Sequence, residues 1–238
     1  MLSFAAASVD IVGYLSAYHT FTAHMTGNTI HLGNALFNAN GAEAALAAMV
    51  LSLFVCGSLL GRVLIEIGSR HKIRSIASWT LGIEAALLAI VASQILGGFI
   101  PEPGPRYPKI MLALLASAMG LQTATITRVG ALTVHTTFVT GMINKLSQLL
   151  SQVLFDTYDF AVAGSRSVEG HRTKTLRSAL FIFSIWCSYI TGAIAGTWLY
   201  SRWHLHGLYL PVALLCLAIC IDQVVPLSVE EEKDQSER

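Results

Sequence analysis

Three ionisable residues lie in or next to apolar stretches, where a charged group needs a physical reason to be present. Asp10 lies midway along the first stretch, Glu84 lies within the third, and Arg128 follows the end of the fourth. Such a residue at the centre of a membrane helix costs about 2.5–3.5 kcal/mol on insertion scales, so it commonly pairs or lines an ion pathway. In a functional interpretation Asp10 couples a proton or cation and Arg128 contacts an anion. In a structural interpretation the two residues neutralise each other and fix helix packing.

A threonine–glycine motif occurs twice, and its polar residues stand where a plain membrane span needs nothing polar. The pattern T-x3-T-G-x4-L-x3-L begins at Thr22 and again at Thr136. Hydroxyl and amide groups in such a setting could line a polar site between the two copies. The candidate residues from these motifs are Thr22, Thr26, Gly27, Asn28, Thr136, Thr140, Gly141 and Asn144.

The first motif falls inside a segment that is too long for one membrane span. Phe4–Phe37 is 34 residues, about 51 Å as a helix, whereas the hydrocarbon core is about 30 Å thick. We therefore predict a helix break at Thr26-Gly27-Asn28. Thr26 would cap the short helix that follows, and Thr140 would cap its counterpart in the second copy.

The two short helices predicted after these breaks have two alternative placements. Gly27–Phe37 and Met142–Phe155 could point their N-termini into the protein, where the partial positive charge of a helix end can hold an anionic group. Alternatively, both helices lie flat at opposite membrane interfaces and the threonine–glycine step is only a turn. The polar threonines favour the first placement.

The composition identifies the class of protein that must position these residues. Charged residues make up 12% of the 238-residue chain and hydrophobic residues 54%, whereas soluble domains carry roughly 25% charged residues. A net charge of +1 offers no basic surface for nucleic acid. The sequence predicts an all-α polytopic membrane bundle, with two short re-entrant helices and about six spans: Phe4–Thr22, Ala44–Ile67, Ile76–Ile100, Ile110–Ile126, Ala179–Tyr200 and Leu208–Val225.

A second repeated motif indicates that the single membrane domain contains two copies of one unit. Gly57-x3-Gly61 and Gly192-x3-Gly196 each follow an aromatic residue by three positions. Together with the threonine–glycine motifs, they predict one repeat over about 4–100 and another over about 108–226. Three spans per repeat is an odd number, so the copies must cross in opposite directions, as a 3+3 inverted repeat. The glycines most simply allow close helix packing, within the protomer or at a homodimer seam.

The distribution of basic residues predicts the orientation of the chain. The two loops after the second and fourth spans hold seven Lys or Arg residues, against three on the other side. By the positive-inside rule, both termini lie in the cytoplasm, and residues 227–238 form a cytoplasmic tail. The seven are Arg70, Lys72, Arg74, Arg166, Arg172, Lys174 and Arg177, and the three are Arg106, Lys109 and Arg202.

Two ordered signatures resemble those of the YoaK-like family, a group of small bacterial inner-membrane proteins defined as a domain of unknown function. The first is Val9-Asp10-Ile-Val-Gly13-Tyr14 leading to Phe21–Asn28. The second is Met119-Gly120-Leu121-Gln122 continuing through Arg128 to Thr136–Gly141. The resemblance implies a multi-helix protein of the inner membrane and no established substrate. The second signature adds Gln122 to the candidate site residues.

These observations lead to two functional hypotheses. The first is a small secondary transporter or permease for a small solute, an anion among the candidates, with its site between the threonine–glycine breaks. The alternative is a non-transporting membrane protein that assembles with or regulates a partner. No nucleophile–base pair or metal-ligand spacing occurs, so we expect neither an enzyme nor a metal or cofactor. The expected partners are the lipid bilayer, a small solute and a second copy of the chain.

Overall fold

The computed structural model describes residues 1–95, 106–125, 128–129, 132–133, 139–163 and 166–224. Within these ranges the chain is built of α-helices with one 3-10 helix, His204–Leu208, so the all-α prediction is confirmed. A local departure is the antiparallel pairing of Arg128–Val129 with Leu132–Thr133. The helices are α1 (Leu2–Ser16), α2 (Met25–Phe37), α3 (Gly41–Arg70), α4 (Ile76–Ala92), α5 (Arg106–Thr125), α6 (Val139–Ala163), α7 (Arg166–Trp203) and α8 (Tyr209–Val224).

Two segments of the described chain are long and apolar enough to cross a membrane. They are α3 and the segment Gly170–Val224, which includes most of α7, the 3-10 helix and α8. Helices α1 and α4 are apolar but only 15 and 17 residues long, and a perpendicular crossing takes about 20. The number of six spans therefore stays a prediction.

Helices α3 and α5 pack closely because two glycines of α3 admit the backbone of α5. A Cβ atom on Gly57 would overlap the carbonyl oxygen of Ser117, and one on Gly61 would lie 2.8 Å from the Cβ of Ala124. The later glycine of α3 contacts the later residue of α5, so the two helices run parallel.

Helices α1 and α7 pack in the same manner. A Cβ atom on Gly192 would overlap the backbone of Phe4, and one on Gly196 would lie 2.8 Å from the Cα of Ser8. Ser8 adds a hydrogen bond across this contact, because its hydroxyl donates to the carbonyl of Gly192 over 2.9 Å. Small residues thus bring the two helix backbones together in parallel.

Helices α1 and α5 run antiparallel. The side-chain Nε2 of Gln122, near the end of α5, donates to the carbonyl of Leu2 at the start of α1 over 3.0 Å. Toward the other end of α1, an added Cβ on Gly13 would contact the side chain of Leu115, which lies earlier in α5.

Helices α4 and α8 also run antiparallel. Near the start of α4, the hydroxyl of Ser78 donates to a carboxylate oxygen of Asp222 over 2.6 Å. Beyond the end of α4, Gln94 lies 3.4 Å from His206, just before α8. The four helices α1, α4, α5 and α8 share the main apolar core, with large buried side chains such as Leu81, Leu88, Leu112, Met119 and Leu215.

The two remaining helices lie outside this core. Helix α2 packs on α3, and α6 packs on α7. Only Asn28 and Ala35 of α2 are buried. Met142 and Leu149 of α6 form a small separate cluster with residues of α7.

Several predicted boundaries are wrong. Helix α4 ends at Ala92, before the predicted Ile100, and α6 runs Val139–Ala163, beyond the predicted Met142–Phe155. The first span was expected to reach Thr22, but α1 ends at Ser16 because the chain turns there. The helix after the break begins at Met25, not at Gly27. The basic segment predicted as a loop before the fifth span is instead the first part of α7, which begins at Arg166.

Candidate functional site

The turn between α1 and α2 is held by the carboxylate of Asp10. One carboxylate oxygen accepts hydrogen bonds from the backbone N–H groups of Thr22 (2.6 Å) and Ala23 (2.8 Å) and from the Thr22 hydroxyl (3.1 Å). Tyr18 and His19 take positive φ values of 54° and 49°, which reverse the chain. The buried acid therefore supplies the acceptor that these buried amides need.

The predicted position of the break and the two threonine caps are wrong. The break lies at 17–24, upstream of Thr26-Gly27-Asn28, because the chain has already reversed before it reaches Thr26. His24 is the N-cap of α2 and makes no side-chain cap hydrogen bond, and Thr26 is the second helical residue. Thr140 is likewise the second residue of α6. Both helices thus begin one residue before the threonine of their motif.

Asn28 ties this turn to α2. Its Nδ2 donates to the carbonyl of Phe21 over 2.7 Å. The ring of Phe21 stacks on Tyr14 of α1 at 4.6 Å between centroids. The Oδ1 of Asn28 is buried, and no described group hydrogen-bonds it. Asp10, predicted as an ionisable residue of the first apolar stretch, therefore belongs to one cluster with Thr22 and Asn28 of the first threonine–glycine motif.

Tyr189 of α7 is a member of this cluster that sequence reasoning did not propose as a site residue. Its phenol interacts with the carboxylate of Asp10, and His24 interacts electrostatically with the same carboxylate. The available signal was the aromatic position three residues before Gly192.

A second buried polar cluster lies between α4 and α5. Glu84 is fully buried, and neither carboxylate oxygen has a hydrogen-bond partner among the described residues. Gln122 is also buried, and its Oε1 has no such partner. One helical turn away, the hydroxyl of Thr125 donates to that of Thr80 over 2.9 Å.

The other predicted site residues are not brought together by the described contacts. Thr26, Thr140 and Asn144 are exposed on helix surfaces, and Gly27 and Gly141 are half-buried. Since α2 packs on α3 and α6 on α7, these contacts do not build one site between the two motifs.

The two remaining candidates cannot be placed in a site. The structure gives the backbone of Arg128 but not its side chain, so its pairing with Asp10 stays a prediction, and Thr136 lies outside the described residues. Among the residues that are described, no group of three or more His, Cys, Asp or Glu could hold a metal ion.

Long apolar helices that expose many of their large hydrophobic side chains define the class as an α-helical membrane protein. The chain matches the family described as "Protein of unknown function (DUF1275)" over residues 1–221, and it belongs to that family. It is 29% identical over 156 residues to the UPF0700 transmembrane protein YoaK of Bacillus subtilis (strain 168), covering 65% of this chain and 67% of that protein. No solved structure matches it significantly. The family resemblance seen in the sequence is confirmed.

Proposed function

We propose that the chain is a small secondary transporter or permease of the bacterial inner membrane, and not an enzyme, that moves a small solute, with small anions as the first class to test. The observation that carries this proposal is the position of the buried polar groups. Asp10, Glu84, Gln122 and Asp222 lie on α1, α4, α5 and α8, the four helices of the shared core. Polar groups at membrane depth are expensive and mark solute or ion pathways by default.

The arrangement of helix pairs supports an inverted repeat of two three-helix units. In this proposal α1 corresponds to α5, α3 to α7 and α4 to α8. A twofold rotation that exchanges the two units carries the parallel pair α3–α5 onto the parallel pair α7–α1. The same rotation carries each of the pairs α1–α5 and α4–α8 onto itself. When the twofold axis lies in the membrane plane, the two helices of such a pair must run antiparallel.

The glycine contacts and the positions of the motif threonines support the same correspondence. Gly57 contacts Ser117 and Gly61 contacts Leu121 one turn later on α5, just as Gly192 contacts Phe4 and Gly196 contacts Ser8 one turn later on α1. The threonine–glycine step of each motif lies inside a helix, α2 or α6. We further propose that both copies cross the membrane three times, with both termini in the cytoplasm, as the basic residues indicate.

The exposure of α2 moves the proposed solute site away from the threonine–glycine steps. A half-helix that delivered its N-terminus to a shared cavity would be buried at that end, whereas Thr26 is exposed. The interfacial placement of α2 and α6 is therefore favoured, and the seam between the two units is the better location for the solute.

Uptake of radiolabelled anions into proteoliposomes tests this function, because it detects electroneutral as well as charge-moving transport. The panel of small anions is chloride, phosphate, sulfate, acetate and succinate. We expect a saturable uptake of at least one anion and a loss of tenfold or more in Arg128→Ala. The control is Arg70→Ala, because Arg70 is exposed on α3 and pairs with Glu66 at 2.8 Å. Folded protein that gives no uptake above empty liposomes, with a stoichiometric partner in its preparations, would favour the non-transporting alternative.

A further inference from the structure

Glu84 of α4 and Gln122 of α5 lie at the same level of two packed helices. These helices run antiparallel, because Thr80 near the start of α4 meets Thr125 at the end of α5. The hydrogen bond between Thr80 and Thr125 fixes the register of α4 against α5. Glu84 follows Thr80 by four positions, and Gln122 precedes Thr125 by three. Residues three or four apart share one face of a helix. Glu84 and Gln122 each lie one helical turn from the threonine pair, on the faces of α4 and α5 that meet at the interface.

The unpartnered atoms of this pair are all hydrogen-bond acceptors. They are both carboxylate oxygens of Glu84 and the Oε1 of Gln122, while the Nε2 of Gln122 donates one of its two hydrogens to the carbonyl of Leu2. An ionised carboxylate buried without a partner is too costly to persist. A proton on Glu84 removes that charge and creates one donor, and the amide oxygen of Gln122, at the same level of α5, is an unpartnered acceptor for it.

The other described ionisable groups on the helices that pack against α4 are not available to bind this proton in place of Glu84. Helix α4 packs against α3, α5, α8 and the 3-10 helix. The described ionisable side chains of α3, α5 and the 3-10 helix are all exposed, as are the tyrosine and cysteines of α8. The carboxylate of Asp222, the remaining group on α8, accepts hydrogen bonds from Ser78 at the end of the interface.

We propose that Glu84 and Gln122 form a proton-binding site, in which Glu84 is a neutral acid that donates a hydrogen bond to Gln122. Carboxylic acids in apolar sites are known to stay neutral and to act as donors. The second part of the proposal, that this proton is the coupling ion, rests on the proposed transport function. Separation of α4 from α5 would admit water to Glu84 and allow the proton to leave.

Infrared spectroscopy of the protein in nanodiscs tests the proton site directly. At pH 7 we expect the absorption of a protonated carboxyl, lost in Glu84→Gln and kept in the matched control Glu66→Gln, whose carboxylate is exposed and paired with Arg70. Gln122→Leu should move the band to higher wavenumber, because the acid loses its acceptor. If Glu84→Gln does not give monodisperse protein, ¹³C-glutamate labelling of the unmodified chain must shift the band instead.

Three results would overturn the proton site. They are identical spectra for the unmodified protein and Glu84→Gln, a band that does not move in Gln122→Leu, and no shift of the band on glutamate labelling. The spectra are also compared in sodium chloride and choline chloride. A carboxylate signal that depends on sodium would assign the site to a metal cation and contradict the proposal.

The coupling role is measured with whichever panel anion is taken up. We expect an inwardly directed pH gradient to raise the uptake of that anion at least threefold in the unmodified protein and less than 1.5-fold in Glu84→Gln. A protonated-carboxyl band without any anion uptake would reject the transport function and keep the proton site. An anion uptake that responds equally to the gradient in both proteins would reject the coupling role alone.

Discussion

The two halves of the chain, residues 2–92 and 106–224, dock through equivalent backbone contacts but carry different polar groups. Gly57 and Gly192 each rest on the backbone of the other half's first helix. In contrast, the acid Asp10 of α1 has no acidic counterpart on the described side chains of α5, where the buried polar group is the amide of Gln122. The packing contacts that both halves share are therefore structural. The buried polar groups that differ between the halves are the places where a specific function can reside.

The two buried acids of the first half, Asp10 and Glu84, differ in how fully they are hydrogen-bonded. Asp10 accepts three hydrogen bonds at one oxygen, whereas Glu84 has no described partner. A satisfied acid holds local structure, because removal leaves its donors unpaired. An unsatisfied acid adds nothing to stability by its contacts, so its presence needs another explanation.

The largest expected effect tests the equivalence of the docking contacts. Gly57→Val and Gly192→Val should each destabilise the protein by more than about 3 kcal/mol, since the added atoms meet backbone that cannot rotate away. Size-exclusion chromatography should show loss of the monodisperse peak for both. Gly33→Ala and Gly82→Ala are the controls, because an added Cβ meets nothing within 4 Å at either position. A normal peak for one valine variant alone would break the proposed equivalence.

The next effect concerns Asp10. Asp10→Ala removes the acceptor of two buried amides, at about 1–3 kcal/mol per unpaired donor. Its melting temperature should fall well below that of the unmodified protein, and the 17–24 turn should become sensitive to limited proteolysis. Asp10→Asn keeps one oxygen acceptor and should lose less. An unchanged melting temperature in Asp10→Ala would show that the turn does not depend on this carboxylate.

A smaller effect is expected at Glu84, the other acid of the comparison. Glu84→Leu replaces a buried polar side chain at similar volume and removes at most the one hydrogen bond proposed to Gln122, so it should destabilise by less than about 1.5 kcal/mol or stabilise the fold. The melting temperatures of Glu84→Leu and Asp10→Ala, measured under the same conditions, rank the two destabilising effects. A loss at Glu84 as large as at Asp10 would mean that both acids are structural.

The smallest effect compares two serines at the docking contacts. The hydroxyl proton of Ser8 is shared between the carbonyl of Gly192 across the α1–α7 contact and the carbonyl of Phe4 in its own helix, while that of Ser117 donates to Ala113 of its own helix. Ser8→Ala should cost about 1 kcal/mol, and Ser117→Ala less, because the latter removes no contact between helices. Equal melting temperatures for the two variants would remove this distinction between the halves.

Much of the secondary structure was predictable because apolar runs and breaks are local signals. The boundaries of α3 and α8 lie within three residues of the predicted spans Ala44–Ile67 and Leu208–Val225. The first break was predictable from length alone, since a 34-residue helix is longer than one span needs. Its position was not, because it depends on which amides the side chain of Asp10 can reach from twelve residues away.

The sequence by itself determined the helical membrane class, the family and the two repeated motifs, because composition and spacing are properties of the chain. Tertiary structure decided that Asp10 joins Thr22 and Tyr189, that the glycines face Ser117 and Phe4, and that Glu84 is left without a described partner. These facts depend on which helix faces are brought together in space. Spacing along one chain carries no information about the partner that a side chain meets on another helix.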